Sequence, residues 1–342
     1  MKNKIIVTGG CGYIGSHTVI ELIENNYTVI ILDDLSNSTE ETLHRIEKIT
    51  NVKPSFINID LKDELKTKKV FKEHKDAKAV INFAAHKAVG ESVQKPLMYY
   101  KNNLYTLINT LTALTENSIN GFIFSSSATV YGAPESLPIT EKSKTQRPFS
   151  PYGNTKKIAE EIIDDLIKSE TNLSAISLRY FNPIGAHESG LIGELPSGIP
   201  NNLMPYITQT AAGIREKLMV YGNDYPTKDG TPIRDYIHVV DLAKAHVLAV
   251  ERIIKNQQEK PFEIFNLGTG NGFSVLDIIK SFEEVTNSKL NYEITDRRPG
   301  DVPKLYASID LVKDKLGWKP SKSLNEMIKS SWDWERKLND KS

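Results

Sequence analysis

Lys4-Ile5-Ile6-Val7-Thr8 runs straight into Gly9-Gly10-Cys11-Gly12-Tyr13-Ile14-Gly15, and a helical pattern follows through Ile20, Leu22 and Ile23. Few folds accommodate that succession. A short, continuous apolar run reads as a strand buried on both faces. Glycines directly after it let the backbone turn tightly and approach a pyrophosphate, whose charge rests at the N-terminus of the next helix. Two registers fit: Gly10, Gly12, Gly15, or Gly9, Gly12, Gly15. A second apolar run, 28–32, ends in Asp33-Asp34. Asp33 falls roughly 20 residues past the glycines, where a carboxylate accepts from the adenosine ribose hydroxyls. An acid there repels a 2′-phosphate, so the pattern favours NAD over NADP.

The alternation of strand and helix continues. Residues 55–59 read as a strand ending at Asp60, and 63–74 as a helix. Residues 79–83 read as a strand ending in Ala84-Ala85-His86-Lys87, 96–117 as a long helix, and 121–125 as a further strand. Such a succession predicts an α/β fold, a Rossmann-like doubly wound parallel sheet with ligands at the strand C-terminal ends. Asp60, Lys87 and Ser125-Ser126-Ser127 all fall at those ends. The serine run reads as a loop after a central strand, with hydroxyls for a substrate oxygen or for strand-end backbone groups. It has no Gly-x-Ser-x-Gly elbow, which argues against a nucleophilic serine.

Ser150-Pro151-Tyr152-Gly153-Asn154-Thr155-Lys156 opens another helical pattern, through Ile158, Ile162, Ile163, Leu166 and Ile167. Ser150 suits the N-cap and Pro151 the first helical position. Tyr152 and Lys156 then share one face. A free tyrosine titrates near 10, too high for a base at neutral pH. A lysine one turn away favours the phenolate, so the pair reads as an acid–base device for a substrate hydroxyl.

Composition narrows the partners. Lys+Arg and Asp+Glu each number 43, a formal net charge of zero, which argues against general binding of nucleic acid or an anionic membrane. Cys11 is the single cysteine, which excludes an intramolecular disulfide and points to a reducing, cytoplasmic setting. No apolar run is long enough to span a bilayer. None of the seven histidines sits in a metal-ligand motif, so no metal is assigned. Cys11 lacks a dedicated base for catalysis.

After a strand at 174–180, Phe181-Asn182-Pro183 breaks the alternation. Residues 185–232 are rich in Gly, Pro and Asn, and read as a loop-heavy cap with one short helix, 203–214. A helix is expected over 238–254, another from Ser274, a strand over 290–295, and two helical patterns ending near Trp334. This predicts a dinucleotide-binding domain over 1–182, with 235–260 returning to it, and a smaller α+β substrate-binding lobe over 183–342. Arg234 and Arg298 fit a diphosphate, because guanidinium forks match phosphate oxygens.

The glycine turn, the serine run and Tyr152…Lys156 together resemble the extended short-chain dehydrogenase/reductase family. Residues 88–93, Arg179-Tyr180-Phe181-Asn182-Pro183, 198–205, Arg234-Asp235-Tyr236-Ile237-His238-Val239 and Arg297-Arg298-Pro299-Gly300-Asp301 are similar to the UDP-glucose 4-epimerase family within it. The resemblance spans residues 5 to about 334 with the motifs in order. It implies an isomerase with tightly held NAD, which interconverts UDP-galactose and UDP-glucose through hydride transfer at C4′, rotation of a 4-keto sugar, and hydride return. In that scheme Tyr152 takes the 4′-hydroxyl proton, Lys156 lowers its pKa and holds the nicotinamide ribose, and Ser127 bonds the same hydroxyl.

The resemblance further implies cofactor contacts from Gly9, Gly12, Tyr13, Ile14, Gly15, Asp33, Asn37, Ser38, Asp60, Leu61, Phe83, Lys87, Asn102 and Phe181, besides Ser127, Tyr152 and Lys156. It places Asn182, Asn202, Leu203, Tyr221, Arg234, Arg298, Asp301 and Leu305 around the nucleotide sugar. Leu305 falls where the family varies a wall near the 2′-substituent. A leucine, between a tyrosine and a small residue in size, implies secondary turnover of UDP-GlcNAc and UDP-GalNAc. A homodimer is implied, with helices 96–117 and 151–169 as candidate interfaces. The competing readings are a related sugar-nucleotide decarboxylase or dehydratase, and a non-catalytic NAD-sensing protein. The loop Ser127-Ala128-Thr129-Val130-Tyr131 lacks the acid pair of a 4,6-dehydratase.

Overall fold

The computed structural model describes residues 2–169, 172–298 and 301–339. The chain runs β1 (Lys4–Thr8), α1 (Tyr13–Glu24), β2 (Thr28–Asp33), α2 (Glu41–Thr50), β3 (Ser55–Asn58), α3 (Glu64–Glu73), β4 (Ala79–Asn82), α4 (Val89–Gln94), α5 (Pro96–Glu116) and β5 (Gly121–Ser127). Then come a 3-10 turn (Ala128–Tyr131), α6 (Pro151–Lys168), β6 (Ser174–Tyr180), β7 (Asn182–Ile184), α7 (Leu203–Ala211), β8 (Leu218–Tyr221), β9 (Ile233–His238) and α8 (Val239–Ile254). The remainder is β10 (Phe262–Leu267), β11 (Gly272–Ser274), α9 (Val275–Thr286), β12 (Tyr292–Thr295), β13 (Lys304–Leu305), α10 (Asp310–Leu316) and α11 (Leu324–Asn339).

Two compact units result. The first takes residues 2–132, 145–180 and 243–265; the second takes 133–144, 181–242 and 266–339. The first unit is built on a seven-stranded sheet of order β10-β6-β5-β4-β1-β2-β3. Its pairs from β6 through β3 are parallel. The order reverses between β1 and β4, which opens a crevice at their C-terminal ends. Ile5, Ile6 and Val7 of β1 are wholly buried, as a strand covered on both faces requires. Helices close over the sheet through a core that includes Ile6, Leu32, Phe71, Leu111, Phe122 and Ile163.

The second unit has smaller pieces. β9 is its centre: β7 and β13 pair with it in parallel, β11 antiparallel. β8 and β12 form a separate parallel pair. A core of Ile184, Met204, Val220, Tyr236, Phe282 and Ile328 joins these strands to α7, α9 and α11. A capping box starts α9: the Ser274 hydroxyl accepts from Asp277 N–H, and the Asp277 carboxylate accepts from Ser274 N–H.

Three expectations need correction. The serine run is not a loop: β5 continues through Ser127, which pairs with Tyr180 of β6. The hydroxyls find partners inside the fold: Ser125 with Tyr180, Ser126 with Glu160 of α6, and Ser127 with Thr129. His238 does not open a helix; it ends β9, and α8 begins at Val239. The cap over 185–232 holds a strand, β8, besides its helix, and that helix stops at Ala211. Pro299 and Gly300 of the fifth motif lie outside the described residues.

Candidate active site

The turn after β1 is closed by contacts that only glycine permits. Gly9 has φ +68°, and a Cβ on Gly15 would stand 2.2 Å from the Gly9 carbonyl oxygen. Gly12 is the N-cap of α1 without a side-chain cap bond, and the first turn carries no acid. The positive end of a twelve-residue helix is thus left open, which suits an anion. Asp33 is buried at the end of β2; its carboxylate accepts from Cys11 N–H at 3.0 Å, Leu35 N–H at 2.9 Å and the Ser38 hydroxyl at 3.0 Å. Burial pushes its pKa up, and these donors pull it back. Cys11 is buried in the same turn, and desolvation with the nearby Asp33 and Glu40 charges drives its thiol pKa far up, so it is inert at neutral pH.

Around this turn, the Lys87 ammonium lies 5.7 Å from the centre of the Tyr13 ring. Asp60 accepts from Lys62 N–H, and Asn102 accepts from the Lys62 ammonium at 2.9 Å. Phe83, whose N–H donates to Thr8 O, packs its ring 4.7 Å from that of His246. Leu61 is buried beside Asp60, Ile14 lies in the first turn of α1, and Asn37 immediately precedes Ser38 after β2. Phe181 belongs to the second unit.

α6 starts as its sequence predicts: the Ser150 hydroxyl accepts from Gly153 N–H at 3.1 Å and Pro151 occupies the first turn. Its residues then meet the serines of β5 one by one. Ser127 hydrogen-bonds the Tyr152 phenol. The Ser127 oxygen already accepts from Thr129 N–H at 3.2 Å and the Thr129 hydroxyl at 3.0 Å. With both lone pairs engaged, its own proton points at Tyr152, the sense that stabilises a phenolate. The Lys156 ammonium donates to Ser125 O at 2.6 Å and lies over the Phe124 ring at 4.9 Å.

Desolvation pushes the half-buried Tyr152 up to about 12, and the Ser127 bond offsets only part of this. Lys156, 4 % exposed, is itself pushed down to about 8 by desolvation, with the Glu160 charge opposing. The lysine donates to a carbonyl of β5, and burial favours the protonated form of Tyr152. Lowering the tyrosine therefore requires a further positive charge at this site.

Several residues that the sequence reading did not select support the pair. Asn103 donates to His86 O at 3.1 Å and to the Thr155 hydroxyl at 3.0 Å, and that hydroxyl donates to Tyr152 O at 2.7 Å. Tyr180 shares a short bond with the Ser125 hydroxyl. Glu160, one turn past Lys156, accepts from Ser126, Ser177 and Arg179. The signal for Glu160 was available, because 152, 156 and 160 continue one helical ladder.

In the second unit Arg234, Arg298, Asp301, Tyr221 and Leu305 come together. The Arg234 guanidinium donates to Ile233 O and Val302 O and lies 3.4 Å from Asp301, while Arg298 approaches Asp301 at 3.6 Å. Arg298 also covers the Tyr221 ring at 4.8 Å. Arg234 and Leu305 are register partners in β9 and β13. Beside them Arg297 lies 4.1 Å over Tyr225 and bonds Asp224. Asn182, in β7, pairs with Tyr236 one strand away. Asn202 caps α7, where Leu203 begins, and its amide donates to Glu194. Among the described residues no His, Cys, Asp and Glu group has a metal-binding arrangement, and no helix is long and apolar enough to cross a membrane.

A family model described as GDP-mannose 4,6 dehydratase matches residues 6–331. A UDP-glucose 4-epimerase of Drosophila melanogaster is 50% identical over 337 residues, covering 97% of this chain and 96% of the relative. One of Bacillus subtilis is 49% identical with the same coverage. Among solved structures, a Stenotrophomonas maltophila UDP-glucose-4-epimerase with bound NAD and formylated UDP-arabinopyranose superposes with a TM-score of 0.96 at 43% identity, over 100% of both chains. A Bifidobacterium longum UDP-glucose 4-epimerase with NAD+ and UDP gives 0.94 at 44% identity, over 99% of both chains.

Proposed function

The chain belongs to the UDP-glucose 4-epimerase family, within the wider group that the dehydratase model describes, and we propose that it interconverts UDP-galactose and UDP-glucose with NAD held in its first unit. The observation that carries this is the Ser127–Tyr152–Lys156 constellation at the C-terminal edge of β5. The open N-terminus of α1, the glycine turn and Asp33 fit a dinucleotide with a plain 2′-hydroxyl. NAD, when bound, supplies the carbon that takes and returns a hydride, and a positive charge on its oxidised ring.

Tyr152 receives the proton of the sugar 4′-hydroxyl and later gives it back, so it serves as base and then acid. Ser127 donates toward the phenolate oxygen, and would turn that proton to the 4′-hydroxyl only by leaving Tyr152. Lys156 stands ready to exchange its carbonyl partner for a ribose hydroxyl. Return of hydrogen to the opposite face inverts C4′, so the 4-keto hexose must turn over while its diphosphate stays held. Arg234 and Arg298 supply charge for the diphosphate, Asp301 accepts from a ribose hydroxyl, and Tyr221 offers a ring face to the base. Leu305, beside Arg234 in the sheet, is smaller than a tyrosine, which supports secondary turnover of acetamido sugars.

Val89 and Val93 of α4 and Leu97, Tyr105 and Ile108 of α5 are exposed apolar residues, with Leu97 81 % exposed. Leu97, Tyr105 and Ile108 recur at one-face spacing, which supports a homodimer through these helices. A cytoplasmic role in galactose metabolism accords with this chemistry. The test is incubation with UDP-galactose and no added NAD. UDP-glucose is the expected product; a keto-deoxy sugar would instead mark a dehydratase, and no turnover at all would leave an NAD-binding protein.

A further inference from the structure

We infer that Glu160, clamped by Arg179, is a positioning residue of this reaction: it fixes the helix that carries Tyr152 and Lys156, and sets the charge one turn beyond Lys156. The inference rests on the epimerase reading and extends its machinery inward by one helical turn.

Positions 152, 156 and 160 lie one above another on α6. Each engages a different member of the serine run. Tyr152 meets the Ser127 hydroxyl, Lys156 the Ser125 carbonyl, and Glu160 the Ser126 hydroxyl at 2.6 Å. The third contact reaches furthest. Glu160 also accepts from the Ser177 hydroxyl at 2.8 Å and from Arg179 Nε and Nη2 at 2.9 and 2.5 Å. Arg179 passes the link on, donating to the Tyr131 phenol at 3.0 Å with its guanidinium 4.9 Å from that ring. One carboxylate therefore ties α6 to β5, β6 and the 3-10 turn that follows Ser127. The side chains of Glu160 and Arg179 are 7 % and 5 % exposed.

A buried ion pair is a poor investment in stability alone, since apolar residues of like volume often serve as well. Its place here gives it another use. The groups facing Lys156 are Tyr152 and Glu160 on its own helix, and the Phe124 ring and Ser125 carbonyl of β5. Tyr180 of β6 reaches the site through the Ser125 hydroxyl, His246 of α8 stands behind Tyr180, and α5 contributes the neutral Asn103. Glu160 is the acid among these. Its charge opposes the desolvation that drives the lysine toward neutrality. Arg179 tempers that charge, so the ammonium remains free to leave for a cofactor hydroxyl.

The test is the pH dependence of kcat for UDP-galactose in the NAD-loaded enzyme, with an alkaline limb that follows loss of the Lys156 proton. Glu160→Gln combined with Arg179→Gln removes both charges of the buried pair and leaves neither partner of it unpaired. The expected result is a limb moved to lower pH by about one unit, with KM and bound NAD unchanged. A limb that stays in place overturns the inference, since loss of packing alone lowers the active fraction without moving it. Should the double variant fail to fold, Ser177→Ala removes one neutral donor from the carboxylate and keeps every charge. Its limb should move above the wild-type position, and a limb that stays in place or shifts down overturns the inference. An inactive wild type would instead refute the epimerase reading itself.

Discussion

Replacing Lys156 by methionine should change how the stability of the nucleotide-free protein depends on pH. The ammonium is buried, and its pKa falls from 10.5 to about 8. That is roughly a 300-fold loss of proton affinity, or about 3 kcal/mol charged against the folded state. The sign follows from proton counts. Between the two pKa values the unfolded chain binds the proton and the folded chain does not, so stability rises with pH there. The cost is complete below about pH 8 and vanishes above 10.5. From pH 7 to pH 9 the wild type should gain about 1 kcal/mol that the methionine variant does not. Absolute stabilities are a poorer guide, because methionine also leaves the Ser125 carbonyl without its donor, at a cost of about 1–3 kcal/mol. The pH-dependent difference is free of that term. Urea unfolding of both proteins at the two pH values measures it. Curves that run parallel in pH would mean that Lys156 is not desolvated as the structure has it.

Tyr152→Phe should lower kcat by about a thousandfold or more while bound NAD and circular dichroism stay as in the wild type; activity within tenfold of wild type would remove Tyr152 as the acid–base group. Arg234→Gln should raise KM for UDP-sugars about 10- to 100-fold with little change in kcat, as expected for loss of a charged bond to a diphosphate. The opposite split in steady-state kinetics would place Arg234 at the chemical step. Leu305→Tyr should lower kcat/KM for UDP-GlcNAc at least about tenfold relative to UDP-glucose. Equal discrimination in the two proteins would exclude Leu305 as a gate.

The first unit was largely legible in the sequence because its strands are continuous apolar runs and its glycines admit few alternatives. β1, α1, β2 and β6 need no distant information to be recognised. β5 misled at its end, since Ser125, Ser126 and Ser127 look like a loop until α6 is placed against them. The second unit resisted for another reason. β7, β11 and β13 have two or three residues each, and all three pair with or beside β9 across long stretches of chain. Segments so short carry no period. Residues 133–144 gave no hint that they belong with 181–242. At the site, spacing located Tyr152 and Lys156 on one helix, yet it could not reveal that burial pushes the tyrosine up and the lysine down.

A helix pinned at three consecutive strand residues cannot slide or swivel by a small step, since any such step breaks every rung together. Mutations that retune what this protein accepts should therefore accumulate on the arginine- and leucine-bearing strands of the second unit. The helix of Tyr152 behaves as a fixed datum within the first unit.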